Sequence, residues 1–244
     1  MNESFGDLFD VSSASLIPLV TTSRVVRVRL GDECELSLEQ SEHLVAETGG
    51  LVWASGVELA HWLREHRAAL QGAAFASIVD LGCGSGVAGL AAALLLPGVP
   101  DVCLCDYDRT ALALAQRNAA ANGLEARCRT VSATFQQCAD EPALVLGGAG
   151  RVLILASDVC YDEQSEQGLV AALAALLDCG RAARVVVSVQ KRGDLHERLA
   201  AVSMPMLARM RGLQLTSGVR RTADTHKDVL FFDIAPNDEW LCVS

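Results

Sequence analysis

Val79-Asp80-Leu81-Gly82-Cys83-Gly84-Ser85-Gly86 is the stretch whose reading decides the fold. A short apolar run ends in three alternating glycines, and the Ala-rich apolar run 87–96 follows at once. The first run has the length of a buried strand and the second that of a helix, so the glycines occupy the turn between them. Glycine lets a backbone bend sharply and lets a ligand approach where a Cβ would clash. In an open α/β sheet, ligands gather outside the carboxyl ends of the strands. The loop is therefore a candidate nucleoside- or nucleotide-binding site.

Working outward, the same alternation repeats. Strands are expected at residues 77–81, 102–105, 126–131, 152–156 and 184–189, with helices at 87–96, 109–121 and 163–178 between them. A helix at 194–211, kinked or broken at Pro205, leads to two last strands, 212–219 and 229–235, separated only by a turn. Strand–helix alternation implies a Rossmann-like, doubly wound and mostly parallel sheet of seven strands, with an antiparallel hairpin at its C-terminal end. Upstream, residues 55–70 form a helix for which Ser55 and Glu58 supply a capping-box pattern. Further upstream, residues 19–30 and 34–38 around Gly31-Asp32 read as a β-hairpin, with Arg24, Arg27 and Arg29 on its solvated face. Two segments follow: an N-terminal extension with the hairpin over residues 1–45, and one α/β domain over 46–244.

Composition bounds the function. The chain has 244 residues, 51% hydrophobic and 20% charged, which excludes intrinsic disorder. Its longest apolar stretch, 87–96, is stopped by Pro97 and falls short of the roughly 20 residues of a membrane span. Aromatic content of 5% makes the core aliphatic. Thirty acidic against twenty basic residues give a net charge of −10, which disfavours a phosphate backbone as partner. Nine scattered cysteines, no visible signal peptide and no His/Cys cluster argue for small buried hydrophobes in a reducing compartment and for no metal site. A cytoplasmic or nuclear location and a monomer are expected.

The glycine loop allows two cofactor classes. Gly84-Ser85-Gly86-Val87-Ala88-Gly89 satisfies the G-x-G-x-x-G dinucleotide pattern, and Asp106 follows Gly84 by 22 residues, which suits a ribose-binding acid. Against NAD(P), Asp80 sits two residues before the first glycine. A carboxylate there suits a cationic ligand and repels a pyrophosphate. S-adenosylmethionine, with a sulfonium, an ammonium and no phosphate, meets that requirement. Asp108 is placed to cap the helix after Asp106-Tyr107. A second polar cluster, Ser157-Asp158-Val159-Cys160-Tyr161, ends the fourth strand on the same rim, and a carboxylate with a phenol three residues on can flank an amine nucleophile.

Taken together these segments resemble the seven-β-strand class I methyltransferases, and more narrowly the family-sixteen protein-lysine methyltransferases. The resemblance rests on TGGLVWASGVELAHWL from residue 48, VDLGCGSGVAGL, CDYDRTALALAQRNAAANG, LASDVCYDE and SVQKR, spread over residues 48–191. It implies S-adenosylmethionine as cofactor and the lysine side chain of a protein as acceptor. It also implies roles: Trp53 contacting the cofactor, Gly82, Cys83 and Gly84 lining its methionine moiety, Asp106 at the ribose, and Ser157 reaching it from the fourth strand; Asp80, Gly86 and Tyr107 complete the expected cofactor-binding set. Asp158 and Tyr161 would be the catalytic pair at the acceptor. Ala133 stands where the family usually has an adenine-side Trp, and Phe135 is the substitute stacking surface. An NAD(P)-dependent oxidoreductase and a non-catalytic binding module of the same fold remain the alternatives.

Overall fold

The strands that build the centre of the molecule are apolar on both faces, and this forces helices onto both sides of the sheet. The computed structural model describes residues 25–31, 34–41, 48–222 and 227–236. In chain order these contain β1 Val25–Arg29, β2 Glu35–Glu39, α1 Ala54–Glu65, α2 Arg67–Gly72, β3 Ser77–Leu81, α3 Val87–Leu95, β4 Asp101–Asp106 and α4 Arg109–Ala121. They continue with β5 Cys128–Ser132, α5 Phe135–Asp140, β6 Val152–Ser157, α6 Glu163–Asp178, β7 Ala182–Gln190, α7 Asp194–Arg198, α8 Met204–Met210, β8 Gln214–Arg221 and β9 Asp228–Ala235.

The main sheet runs β5-β4-β3-β6-β7-β9-β8. Strands β3 to β7 are parallel, while β9 runs antiparallel to both β7 and β8. The expected seven-stranded sheet with its late hairpin is present. The chain steps outward from β3 to β4 and β5, then returns to the other side of β3 as β6. That reversal opens a crevice beyond the carboxyl ends of β3, β4 and β6.

Period-two alternation divides the core. Ile78, Leu153, Leu155 and Val186 point to the face covered by α1, α3 and α4, whereas Val79, Leu81, Ile154 and Val187 point to the face covered by α5, α6 and α8. Helix α3 packs closest. A Cβ on Gly89 would lie 2.5 Å from Leu104 Cδ2 and 3.0 Å from the Asp80 side chain, so the third glycine of the pattern is needed for helix-on-sheet contact.

The N-terminal hairpin is confirmed by the antiparallel β1–β2 pair. Arg27 and Arg29 lie on its exposed face, as expected, while residues 19–24 and Asp32 fall outside the described residues. Asn118 of α4 and Asn122, the residue that ends α4, fasten it. Asn122 accepts from Ser37 N at 2.9 Å and donates to Ser37 O at 2.7 Å, and Asn118 makes the equivalent pair with Glu39.

Several local expectations are corrected. Ser55 is not a cap: α1 starts at Ala54, Trp53 holds the cap position without a side-chain bond, and Ser55 is buried. The helix stops at Glu65 instead of reaching residue 70, because His66 leaves helical geometry before α2. Residues 194–211 form α7, a π turn over Leu199–Ser203 and α8. The wider turn precedes Pro205, where an α-helical carbonyl would meet the proline ring. Helix α5 was not expected; it is set by the Thr134–Gln137 capping box. Among the described residues no cysteine is paired, five are buried, and no metal-binding group is formed.

The Arg184–Asp233 pair ties β7 to β9 in the interior with bonds of 2.9 and 2.6 Å, and Arg184 lies over the Trp62 ring. Removing one member leaves a buried charge, so Asp233→Ala should cost about 3–5 kcal/mol in urea unfolding, and Arg184→Met with Asp233→Leu clearly less.

Candidate active site

The glycine loop is held by β4. Gly82 N and Cys83 N both donate to Cys105 O, at 2.8 and 2.9 Å. Gly84 N donates to Asp106 Oδ2 at 3.0 Å, and Asp108 N donates to Asp106 Oδ1 at 3.0 Å. One buried carboxylate thus binds the loop to the strand end and to the start of α4, where Asp108 caps by accepting from Thr110 N at 2.7 Å. Burial pushes the Asp106 carboxyl above its usual range, and the two backbone donors pull it back.

Glycine is required at two points. A Cβ on Gly84, at φ +52°, would stand 2.9 Å from Gly49 O, and one on Gly82, at φ +69°, 2.5 Å from Val159 Cγ1. The first contact comes from the short helical turn Thr48–Gly50, and Ser85 Oγ donates at 3.3 Å to the carbonyl of Leu51, which follows that turn. The segment before α1 therefore folds over the loop and brings Trp53 to the rim.

The end of β6 supplies the second wall. Ser157 Oγ would lie 3.3 Å from a Cβ on Gly56, so α1 presses on it. Asp158 is buried with φ +56°, a left-handed conformation costly for a side-chain-bearing residue. It is held by Arg192, whose Nη1 and Nη2 reach its two oxygens at 2.7 and 2.5 Å, and by Gln190 N at 3.3 Å. Arg192 also lies 5.6 Å from the Trp53 ring centroid. Its backbone N donates to His196 Nδ1 at 3.1 Å, and His196 Nε2 meets Cys160 O at 3.0 Å. Accepting at Nδ1 and donating at Nε2 needs a neutral ring, and burial lowers the His196 pKa accordingly. Tyr161 is exposed, its backbone N fixed by Ser165 Oγ at the Asp162 cap of α6.

One hollow is lined by Trp53, Gly82, Cys83, Gly84, Ser157 and Asp158. Its neighbour is lined by Tyr107, Ala133, Phe135 and Gln164, and the two share Gly82, Asp106 and Tyr161, so they form one cleft. The predicted site residues thus converge, with two exceptions. Gly86 turns the chain into α3 below the cleft. Asp80 lies behind the loop, where its Oδ2 caps α3 by accepting from Gly89 N at 2.8 Å. Sequence reasoning gave no role to Arg192 and His196; the SVQKR likeness was the signal that marked the first of them. Phe135 is wedged between Gly82 and Gly168 and lines the cleft with Ala133. The lining carries the carboxylates of Asp106, Asp158 and Asp162 and no Lys or Arg. With Asp158 paired to Arg192, Asp106 and Asp162 are the carboxylates of that lining left to suit a cationic nucleoside and oppose a pyrophosphate.

Residues 31–201 match the model of methyltransferase family sixteen, described as lysine methyltransferase. No curated protein matches the sequence significantly. Among solved structures the chain is similar to a SAM-dependent methyltransferase from Agrobacterium tumefaciens, at 19% identity and TM-score 0.60 over 89% of this chain and 72% of that one. It is also similar to the human methyltransferase 10 domain containing protein, at 13% identity and TM-score 0.56 over 82% and 88%. A third likeness is to precorrin-6Y C5,15-methyltransferase from Geobacter metallireducens, at 15% identity and TM-score 0.50 over 82% and 94%. At these identities the structures share the fold.

Burial pushes the Asp80 carboxyl from 3.8 up to about 7. The folded state therefore holds more protons than the unfolded chain between those values, and stability falls as pH rises from about 4 to about 7. Asp80→Asn should flatten that slope in denaturant titrations run across the same pH range.

Proposed function

The chain belongs to the family-sixteen methyltransferases, described as lysine methyltransferases, and uses S-adenosylmethionine; on that premise we propose that it methylates a lysine side chain of a protein substrate. The observation that carries the reading is the convergence of the glycine loop and the Asp158–Tyr161 segment on one cleft, with Trp53 at its rim. In this reading residues 46–244 are the catalytic domain, and residues 1–45 are an extension whose hairpin braces α4.

The residues present fit the cofactor. Asp106 has its two oxygens engaged by backbone N–H groups and keeps lone pairs to accept from ribose hydroxyls. Gly82, Cys83 and Gly84 offer an approach free of bulky side chains, and Ala133 with Phe135 walls the adenine side. Bound S-adenosylmethionine supplies a methyl group on a sulfonium: the nitrogen lone pair forms the new N–C bond while the C–S bond breaks and leaves its electron pair on sulfur. The protein's part is alignment and exclusion of water. Trp53 and Tyr161 bound the path by which an extended side chain reaches the cleft. The lysine ammonium releases its proton to solvent before attack, because a protonated nitrogen has no lone pair to give.

The reading is tested with labelled S-adenosylmethionine and lysate protein, hydrolysed to amino acids after reaction. Label should appear in N-methylated lysine, and label in RNA or in small molecules alone overturns the lysine acceptor. Asp106→Ala should weaken S-adenosylhomocysteine in calorimetry by about tenfold to a hundredfold, the value of one or two hydrogen bonds. Asp158→Ala should retain that affinity and lose transfer. Binding of NAD in place of S-adenosylhomocysteine would contradict the cofactor assignment.

A further inference from the structure

The carboxylate best placed at the acceptor rim is already neutralised from inside the protein. Asp158 and Arg192 form a bidentate pair whose side chains are 3% and 13% exposed. Three contacts hold the guanidinium there: Asp158, Gln190 Oε1 at 3.1 Å, and the face of Trp53. The His196 bridge fixes the backbones of Arg192 and Cys160 to each other, so the two arms of the pair cannot drift apart. This is a large investment of buried polar structure for a pair whose charges cancel.

An unpaired Asp158 would be a trap for the substrate. A carboxylate within about 4–6 Å of an ammonium favours the charged form and raises its pKa by about 1–3 units. A lysine side chain drawn in by that charge would bind as the ammonium, which cannot attack.

We propose that Arg192 is a positioning residue that sets the charge of the acceptor site, neutralising Asp158 so that the lysine side chain enters as its free base. The inference rests on the lysine reading above. The other ionisable groups around the pair do not replace Arg192. On α7, His196 is neutral, its pKa lowered first by burial. The Cys160 thiol is pushed up to about 12 and is uncharged at neutral pH. On α6, Glu166 is bonded to Arg198 at 2.5 Å. Ahead of β9, the Lys227 pKa is lowered first by burial and then by the charge of Arg192. Across the cleft, Asp106 is engaged by the glycine loop. Arg192 is thus the guanidinium bonded to Asp158, the buried carboxylate at the acceptor wall.

Methyl transfer to lysate protein is measured from pH 6 to 10 at saturating donor for wild type, Arg192→Gln, Arg192→Lys, Asp158→Asn and the Arg192→Gln/Asp158→Asn double variant. Arg192→Gln should lose about tenfold in rate across pH 6 to 9, one unit of amine pKa, because the free lysine value of about 10.4 and the raised one both lie above that range. Arg192→Lys should keep the wild-type rate, and the double variant should match Asp158→Asn alone, whatever rate that change leaves. A second readout needs no cofactor: ligand-observed NMR with n-butylamine should show binding about tenfold tighter at pH 7 in Arg192→Gln than in wild type. The same tenfold loss from Arg192→Gln when Asp158→Asn is already present, or equal n-butylamine affinity at pH 7, overturns the proposal. Should Arg192→Gln fail to fold, the double variant decides in the n-butylamine experiment: wild-type affinity at pH 7 supports the proposal and tighter binding overturns it. If wild type labels no lysine, the functional reading falls, and the n-butylamine comparison still decides the charge role.

Discussion

The Asp106 carboxylate is the contact on which the rest of the site depends. It sits at the end of β4, accepts from Gly84 N in one direction and from Asp108 N in the other, and is almost wholly buried. Hydrogen bonds to a charged acceptor are worth about 1.5–3 kcal/mol each, enough to hold a loop whose glycines occupy left-handed conformations. The loop so held can accept the Gly49 carbonyl against Gly84, and that contact brings Leu51 and Trp53 over the crevice. One acid therefore sets the shape of the cofactor side, and it is the acid with lone pairs left over for a ligand.

The opposite wall is built on different physics. There the strained Asp158 backbone, the guanidinium of Arg192 and the His196 bridge form a closed polar ring whose parts come from β6, β7 and α7. Such a network gains most when every member is satisfied, and here Arg192 Nε is buried without a hydrogen-bond partner among the described residues. The glycine-loop wall is held mainly by backbone bonds and the wall at the end of β6 by paired charges. The net charge of −10 takes no part in either.

The fold was legible because its signals are local. Apolar runs gave the strands, the glycine triplet gave the turn, and the Asp108 cap followed from its position before α4. The misses have physical reasons. Ser55 has the right spacing to cap α1, but its backbone carbonyl accepts from Ser188 and the residue is packed inside, so tertiary contact overrode a local pattern. Helix α5 is six residues long, below the length at which periodicity speaks. Asp80 looked like a ligand contact because its offset from the glycines is right; only the packing of α3 shows that its oxygen faces Gly89. Arg192 lies 34 residues from Asp158 in sequence, and no spacing rule joins them. Asn118 and Asn122 bond to a strand some 80 residues away, which a sequence pattern does not encode.

The central claim is that the glycine loop, Asp106 and the Asp158–Tyr161 segment line one cofactor cleft. A crystal structure of the protein grown with S-adenosylhomocysteine tests it most directly. The account expects the ligand between the glycine loop and Phe135, its ribose hydroxyls within hydrogen-bond distance of Asp106 and its sulfur toward Ser157 and Asp158. Ligand density elsewhere on the molecule, or a ribose that does not touch Asp106, would contradict it.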